Sequence, residues 1–234
     1  MPNYLETNYF IDEYAPDKYP QKLCNFLTEC YFKNKGDSAK VLLDIGSGKG
    51  NHLVGFSRNG MNVKGLDKRK ECIEILSDFD VRECDLEKDR FPFEDNYFDF
   101  VFSKSVLEHV YNTENIVKET YRVLKPGGIT VQLTPDWATD YKIFWDDPTH
   151  VKPFTRKGFR QAFILQDFIE VKCERFYQLP FLWKYPGLTF ITRIISLLPN
   201  RLKWEDREER IQCAIIRHSK ERMLLLSARK PYQK

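Results

Sequence analysis

The chain has no C-x-x-C pair. Its six cysteines (Cys24, Cys30, Cys72, Cys84, Cys173 and Cys213) are scattered along 234 residues. That spacing excludes a zinc-ribbon signature and a disulfide framework, and it predicts reduced thiols in a cytoplasmic protein. The opening stretch MPNYLETNYFIDEYAPDKYP lacks the basic and apolar regions of a signal peptide. No run approaches the ~18 uncharged apolar residues of a membrane span. Net charge is scarce as well. Lys and Arg number 37 against 34 Asp and Glu, so the whole chain, at +3, is no polycation. Internal repeats and low-complexity tracts are missing, which excludes a solenoid.

The charge that is present lies unevenly. From Arg201 to Lys234 ten Lys and Arg stand against five Asp and Glu, a local +5. Such a tail suits nucleic acid, an anionic surface or a plain solvated face. The interleaved acids favour the solvated face, and a nucleic-acid partner is not expected. A content of 42% hydrophobic and 30% charged residues fits one globular α/β domain with room for an appendage.

The patterning supports this. Leu23, Phe26, Leu27 and Tyr31 recur at helical spacing over 20–33. Val41–Ile45 reads as a first strand, 51–58 as a helix, MNVKGLD as a second strand and 68–79 as a helix. DVRECDL reads as a third strand delivering Asp85 at its end, and YFDFVFSKS as a fourth. TENIVKETYRVL is a helix with Thr113 as N-cap and Ile116, Val117, Tyr121 and Leu124 on one face. KPGG turns the chain into ITVQLTP, a fifth strand. This alternation predicts a parallel sheet with helices on both faces. After Pro135 come an irregular aromatic and acidic segment, a helix capped by Thr155, a sixth strand FIEVKCERFYQ, an apolar stretch over 180–204 and a final strand ERMLLLSARK.

In an open parallel sheet ligands bind beyond the carboxyl ends of the strands. The first four strands end in polar residues, Asp44, Asp67, Asp85 and Ser103, predicted to form a row in sequence order. A P-loop needs G-x-x-x-x-G-K-[ST], which Lys49 does not complete. A dinucleotide loop needs G-x-G-x-x-G, whereas Gly46, Gly48 and Gly50 are followed by Asn51, and a pyrophosphate sits poorly beside Asp44. A cofactor without phosphate and with a cationic amino-acid end fits better. S-adenosylmethionine is such a molecule: Asp44 favours its positive end, Gly46 and Gly48 let the backbone approach, Asp67 accepts the ribose hydroxyls and Asp85 the adenine amine. The competing reading is a glycine-rich turn whose acids cap helices.

LLDIGSGKG, VKGLD, CDLEKDRFPFEDNYFDFVFSKSVLEHV and RVLKPGGITVQLTP resemble, in order, the motifs of class I S-adenosylmethionine-dependent methyltransferases of the type 11 and type 23 group. The resemblance covers about residues 38–135. It implies a Rossmann-like, seven-stranded, mostly parallel sheet with an antiparallel last strand and a small cap inserted before it. By position it assigns the cofactor to Gly46, Gly48, Asp67 and Asp85, with Leu86 beside the adenine; Asp44, Ser47, Lys68 and Ser103, which neighbour them, are expected in the same site. Lys104 departs from the pattern, where many relatives carry a small or apolar residue. The chain then divides into an N-terminal helical cap (1–37), a cofactor-binding core (38–135), acceptor-side loop and cap elements (136–204) and the last strand (205–234).

Methyl transfer to oxygen requires alignment and removal of a proton. His150, in WDDPTHVKPF, is the first candidate for the base, oriented by Asp146 or Asp147; His109, in SVLEHV, is the second. Segments like D-P-T-H-x-[RK]-P-F resemble methyltransferases of glycan biosynthesis, which points to a small-molecule or sugar hydroxyl. Asp146, Asp147 and His150 on one short loop are weak donors for a cation, and no metal is expected. Phe181, Trp183, Tyr185 and Phe190 lie in an aromatic stretch, 177–204, that suits a helix packed on the sheet, a substrate lid, or a dimer or membrane-interface contact. The sequence leaves the oligomeric state open. Two other functions compete. One is an RNA or protein methyltransferase using the basic tail, against which the chain lacks [DNS]-P-P-[YFW] and a Pro-Cys nucleophile. The other is a non-catalytic cofactor-binding scaffold.

Overall fold

The computed structural model describes residues 19–32, 40–199 and 210–232. Seven strands form one sheet: β1 (Val41–Ile45), β2 (Asn62–Asp67), β3 (Asp80–Glu83), β4 (Phe98–Lys104), β5 (Leu124–Pro135), β6 (Ile169–Phe176) and β7 (Met223–Arg229). Their order across the sheet is β3-β2-β1-β4-β5-β7-β6. β1 to β5 pair in parallel, and β7 runs antiparallel between β5 and β6. The expected row of strand ends therefore exists, but its spatial order is 3-2-1-4. Each early crossover returns the chain one place outward, and the order reverses between β1 and β4, where an open α/β sheet leaves its crevice.

Alternation along each strand divides the core between two faces. Leu43, Ile45, Val101, Leu224 and Leu226 share one face with Ile116 and Val117 of α4 (Thr113–Val123) and with Phe159 and Phe163 of α6 (Arg156–Ile164). Leu42, Phe100, Phe102, Val131 and Leu225 share the other with Leu23 and Leu27 of α1 (Tyr19–Cys30) and Leu53 and Phe56 of α2 (Asn51–Arg58).

Several expectations change. α3 covers only Lys70–Ile75 of the helix expected over 68–79. β3 stops at Glu83, so Asp85 lies past the strand rather than at its end. The N-cap of α4 is Asn112, which accepts from the Asn115 amide, while Thr113 is buried and accepts from Lys152. KPGG is no separate turn. β5 runs through it, and where β4 advances from Phe98 to Phe100, β5 advances from Leu124 to Ile129. Thr155 does cap α6, accepting from the Gly158 amide.

Beyond Pro135 lie α5 (Trp137–Asp140), α7 (Pro180–Lys184) and α8 (Thr189–Ile195). The segment expected to hold only the last strand also contains a helix, α9 (Arg210–Lys220). Trp183 packs against Phe26 and Phe176, with ring centroids 4.9 and 5.3 Å away, so α7 is fastened to α1. The aromatic stretch thus contributes Trp183 to the body of the fold and leaves Phe181, Tyr185 and Phe190 exposed. In the described part of the basic tail, Arg217 pairs with Glu221, Arg229 with Glu170, and Lys230 donates to Asn96. Residues 1–18 and 33–37 of the expected N-terminal cap, residues 38–39 of the expected core, residues 200–209, and Gln233 and Lys234 lie outside the described residues. Among the described residues, no helix is long and apolar enough to cross a membrane.

Candidate active site

Asp44 is the fourth residue of β1, paired with Gly65 of β2 and Phe102 of β4. It is therefore not at the strand end but one residue inside it, 3% exposed, and its Oδ2 has no hydrogen-bond partner. Burial, reinforced by the Asp67 carboxylate and opposed by the Leu53 amide, pushes its carboxyl well above the usual range. Ser47, in the loop that follows, is buried and its Oγ also lacks a partner. Buried polar atoms are nearly always paired, so these two orphans, one in β1 and one in the loop after it, mark a place where something else supplies the bonds.

The glycines divide by cause. A Cβ on Gly46 would lie 2.5 Å from Cγ2 of Val106, so glycine there is required by the protein's own packing. A Cβ on Gly48 would meet nothing within 4 Å, and its φ of +52° favours glycine; its open side is room for a ligand. The loop folds back on β2: the Gly46 and Ser47 amides both donate to the Leu66 carbonyl at 2.7 and 3.0 Å. Gly65 permits this, because its Cβ would stand 3.0 Å from the Ser47 Oγ. The sequence reading missed Gly65, although a glycine inside the apolar run VKGLD signals a close approach.

Asp67 ends β2 and is already bonded. Its Oδ2 accepts from the Gly48 amide at 2.9 Å and its Oδ1 from the Arg69 amide at 3.0 Å. Oδ1 also accepts from Arg69 Nε at 3.3 Å, so the further lone pair is that of Oδ2. Asp85 lies two residues past β3. It caps the next turn by accepting from the Glu87 amide at 3.0 Å, and that bond, with Lys88 and the exposed Lys68 nearby, holds its carboxyl below the usual range. Leu86 is buried beside it, and its carbonyl accepts from Asn115. Ser103 is fully buried and donates to Gln132. The alternative in which the acids cap turns is thus real for Asp85, but not for Asp44.

Beyond β4 a short turn, Leu107–His109, meets the segment around His150. The Val151 and Lys152 amides both donate to the Glu108 carbonyl, at 2.8 and 3.1 Å. His109 and His150 come together, ring centroids 4.8 Å apart. Asp147 does not orient His150: the gap from its Oδ2 to Nε2 is 3.9 Å. Instead His150 Nδ1 donates to the Phe144 carbonyl at 2.6 Å, so its Nε2 carries the lone pair. Asp147 accepts from the Thr149 hydroxyl at 2.6 Å, and that hydroxyl lies 2.9 Å from His109 Nδ1. The Thr149 hydrogen is spent on Asp147, so His109 Nδ1 is the donor to it. Burial and the neighbouring His150 lower the basicity of His109. Glu108 was missed from the sequence; it is buried, accepts from Thr134 at 3.0 Å, and its carboxyl is pushed up to about 7, chiefly by burial. Its only signal was its position beside His109. Burial, with the Lys104 charge in reach, lowers the basicity of the half-buried His52.

Residues 43–131 match the model of a methyltransferase domain. A phosphoethanolamine N-methyltransferase 2 of Caenorhabditis elegans is 32% identical over 97 residues, 38% of this chain and 22% of that protein. A sterol 24-C-methyltransferase of Pneumocystis carinii is 29% identical over 120 residues, 47% of this chain and 31% of that one. The matches thus span about a fifth to a third of these two relatives. Among solved structures, an S-adenosylmethionine-dependent methyltransferase from Archaeoglobus fulgidus superposes with a TM-score of 0.64 at 20% identity, covering 90% of this chain and 94% of that one. Residues 43–131 thus match a methyltransferase domain, and the fold around them is shared with that S-adenosylmethionine-dependent methyltransferase.

Proposed function

We propose that the protein transfers a methyl group from S-adenosylmethionine to a hydroxyl of a small molecule or glycan. The observation that carries the cofactor half is the pair of unpartnered buried oxygens, Asp44 Oδ2 and Ser47 Oγ, beside the open face of Gly48. A buried carboxylate is costly alone, and a cationic amino-acid end offsets that cost. Asp44, Gly46, Ser47 and Gly48 take the methionine part. Asp67, with Lys68 beside it, takes the ribose. Asp85 and Leu86 take the adenine, with Ser103 holding the floor through Gln132.

The sulfonium activates the methyl carbon when the cofactor is bound. The chain's own task is to align the acceptor and accept its proton. His150 is the base in this reading, since the Phe144 carbonyl fixes the tautomer that leaves Nε2 free. Asp147 acts through Thr149 on His109 rather than on His150. Trp137, Phe144 and Trp145 cluster beside His150, with Phe144 4.5 Å from its ring, and such rings stack on the faces of sugars.

Calorimetry tests the cofactor half. Wild type binds S-adenosylmethionine, and Asp44→Asn weakens it at least tenfold; equal affinity in the variant sinks the assignment. For the acceptor half, the methylated product is identified by mass spectrometry and the modified atom by NMR. The curated relatives above are named for methylation at nitrogen and carbon, so a product methylated at either atom replaces the hydroxyl reading. Full turnover by His150→Ala on the true acceptor removes the base.

A further inference from the structure

We propose that Glu108, His109 and His150 form a binding site for a first-row divalent transition-metal ion just beyond β4. One potential ligand atom from each lies within 4.8 Å of the other two. Two imidazoles and one carboxylate suit Zn²⁺, Co²⁺ or Fe²⁺, whereas Mg²⁺ and Ca²⁺ prefer oxygen alone. The sequence reading sought donors on the short loop of Asp146 and Asp147; the fold instead brings His150 to two residues some forty positions earlier.

The ring orientations are those a metal site requires. A ligating histidine donates its other N–H to a carbonyl or to an oxygen held by a carboxylate. His150 Nδ1 meets the Phe144 carbonyl at 2.6 Å, and His109 Nδ1 meets the Thr149 hydroxyl at 2.9 Å, which is itself held by Asp147. The lone pairs left for a cation are those of Nε2 on both rings. Glu108 is anchored by Thr134, and its carbonyl clips the His150 segment in place. Among the described residues, this buried carboxylate has no ion pair; Lys104 reaches it only electrostatically. A cation would neutralise it where water cannot.

The site stands on its own geometry and does not rest on the cofactor reading. With an ion on Nε2, His150 becomes a ligand, and an acceptor oxygen bound to that ion would lose its proton more readily.

The test uses untagged, metal-stripped full-length protein. Co²⁺ is titrated in and followed by its visible absorption, with Zn²⁺ as competitor. Wild type is expected to saturate at about one equivalent, with His109→Gln, His150→Gln and Glu108→Gln each weakening binding at least tenfold. No saturable binding by wild type, or wild-type affinity in both histidine variants, overturns the proposal. A second measurement does not depend on the variants folding: imidazole ¹⁵N shifts of wild type on adding Zn²⁺. Movement of His109 and His150, with His52 and His218 still, supports the site; movement only of His52 or His218, or no movement, overturns it.

Discussion

Asp140 holds a carboxyl that burial pushes up to about 7, with Glu221 and Asp136 raising it further and Thr139 and the Arg222 amide opposing. The folded state therefore keeps a proton that the unfolded state releases near pH 4. The stability this group contributes should fall as pH rises from about 4 to about 7, by on the order of 3–4 kcal/mol. Urea unfolding of Asp140→Asn should show a shallower decline across that window; an unchanged slope assigns it elsewhere. The glycines offer a second contrast at this scale. Gly46→Ala must move Val106 as well as strain the backbone and should cost more than about 2 kcal/mol. Gly48→Ala meets open space, so it should cost only the strain of its positive φ, about 1 kcal/mol, while weakening the cofactor. Parallel melts and cofactor titrations separate the two.

Among the elements, α4 shows how a motif can be legible and its boundary not. Thr113 and Asn112 are both good caps by type, and the apolar spacing of Ile116 and Val117 follows either. The choice fell to Lys152, which takes the Thr113 hydroxyl as its acceptor and leaves the cap to Asn112. Asn112→Ala should therefore destabilise by about 1 kcal/mol in thermal unfolding. Asn112→Ser should restore most of it. α9 precedes the last strand in a segment where no helix was expected, because a short helix flanked by charges is set by the neighbours it docks on, here α8, and not by its own propensity.

At the scale of the molecule, a ligand seated among β1, β2, β3 and β4 bridges the crevice where the strand order reverses. Binding to the folded state alone adds about 2.7 kcal/mol at a hundred times Kd. For a chain of this size S-adenosylmethionine should raise the melting temperature on the order of 5–10 °C. Asp44→Asn should lose most of that shift. A melting temperature that ignores the cofactor in wild type counts against the whole site.

The sequence by itself determined the strands, the glycine loop and the acids near the ends of β1 and β2. Each is a local demand: a two-residue period, a positive φ, a polar residue where an apolar run stops. Only the tertiary structure decided that Asp44 Oδ2 is left unpaired and that Glu108, His109 and His150 share one space. It also turned Asp147 toward Thr149 rather than His150. The meeting of the two histidines rests on backbone amides of Val151 and Lys152 reaching the Glu108 carbonyl across the fold. Contacts of that kind are fixed by packing between distant segments, and no spacing along the chain encodes them.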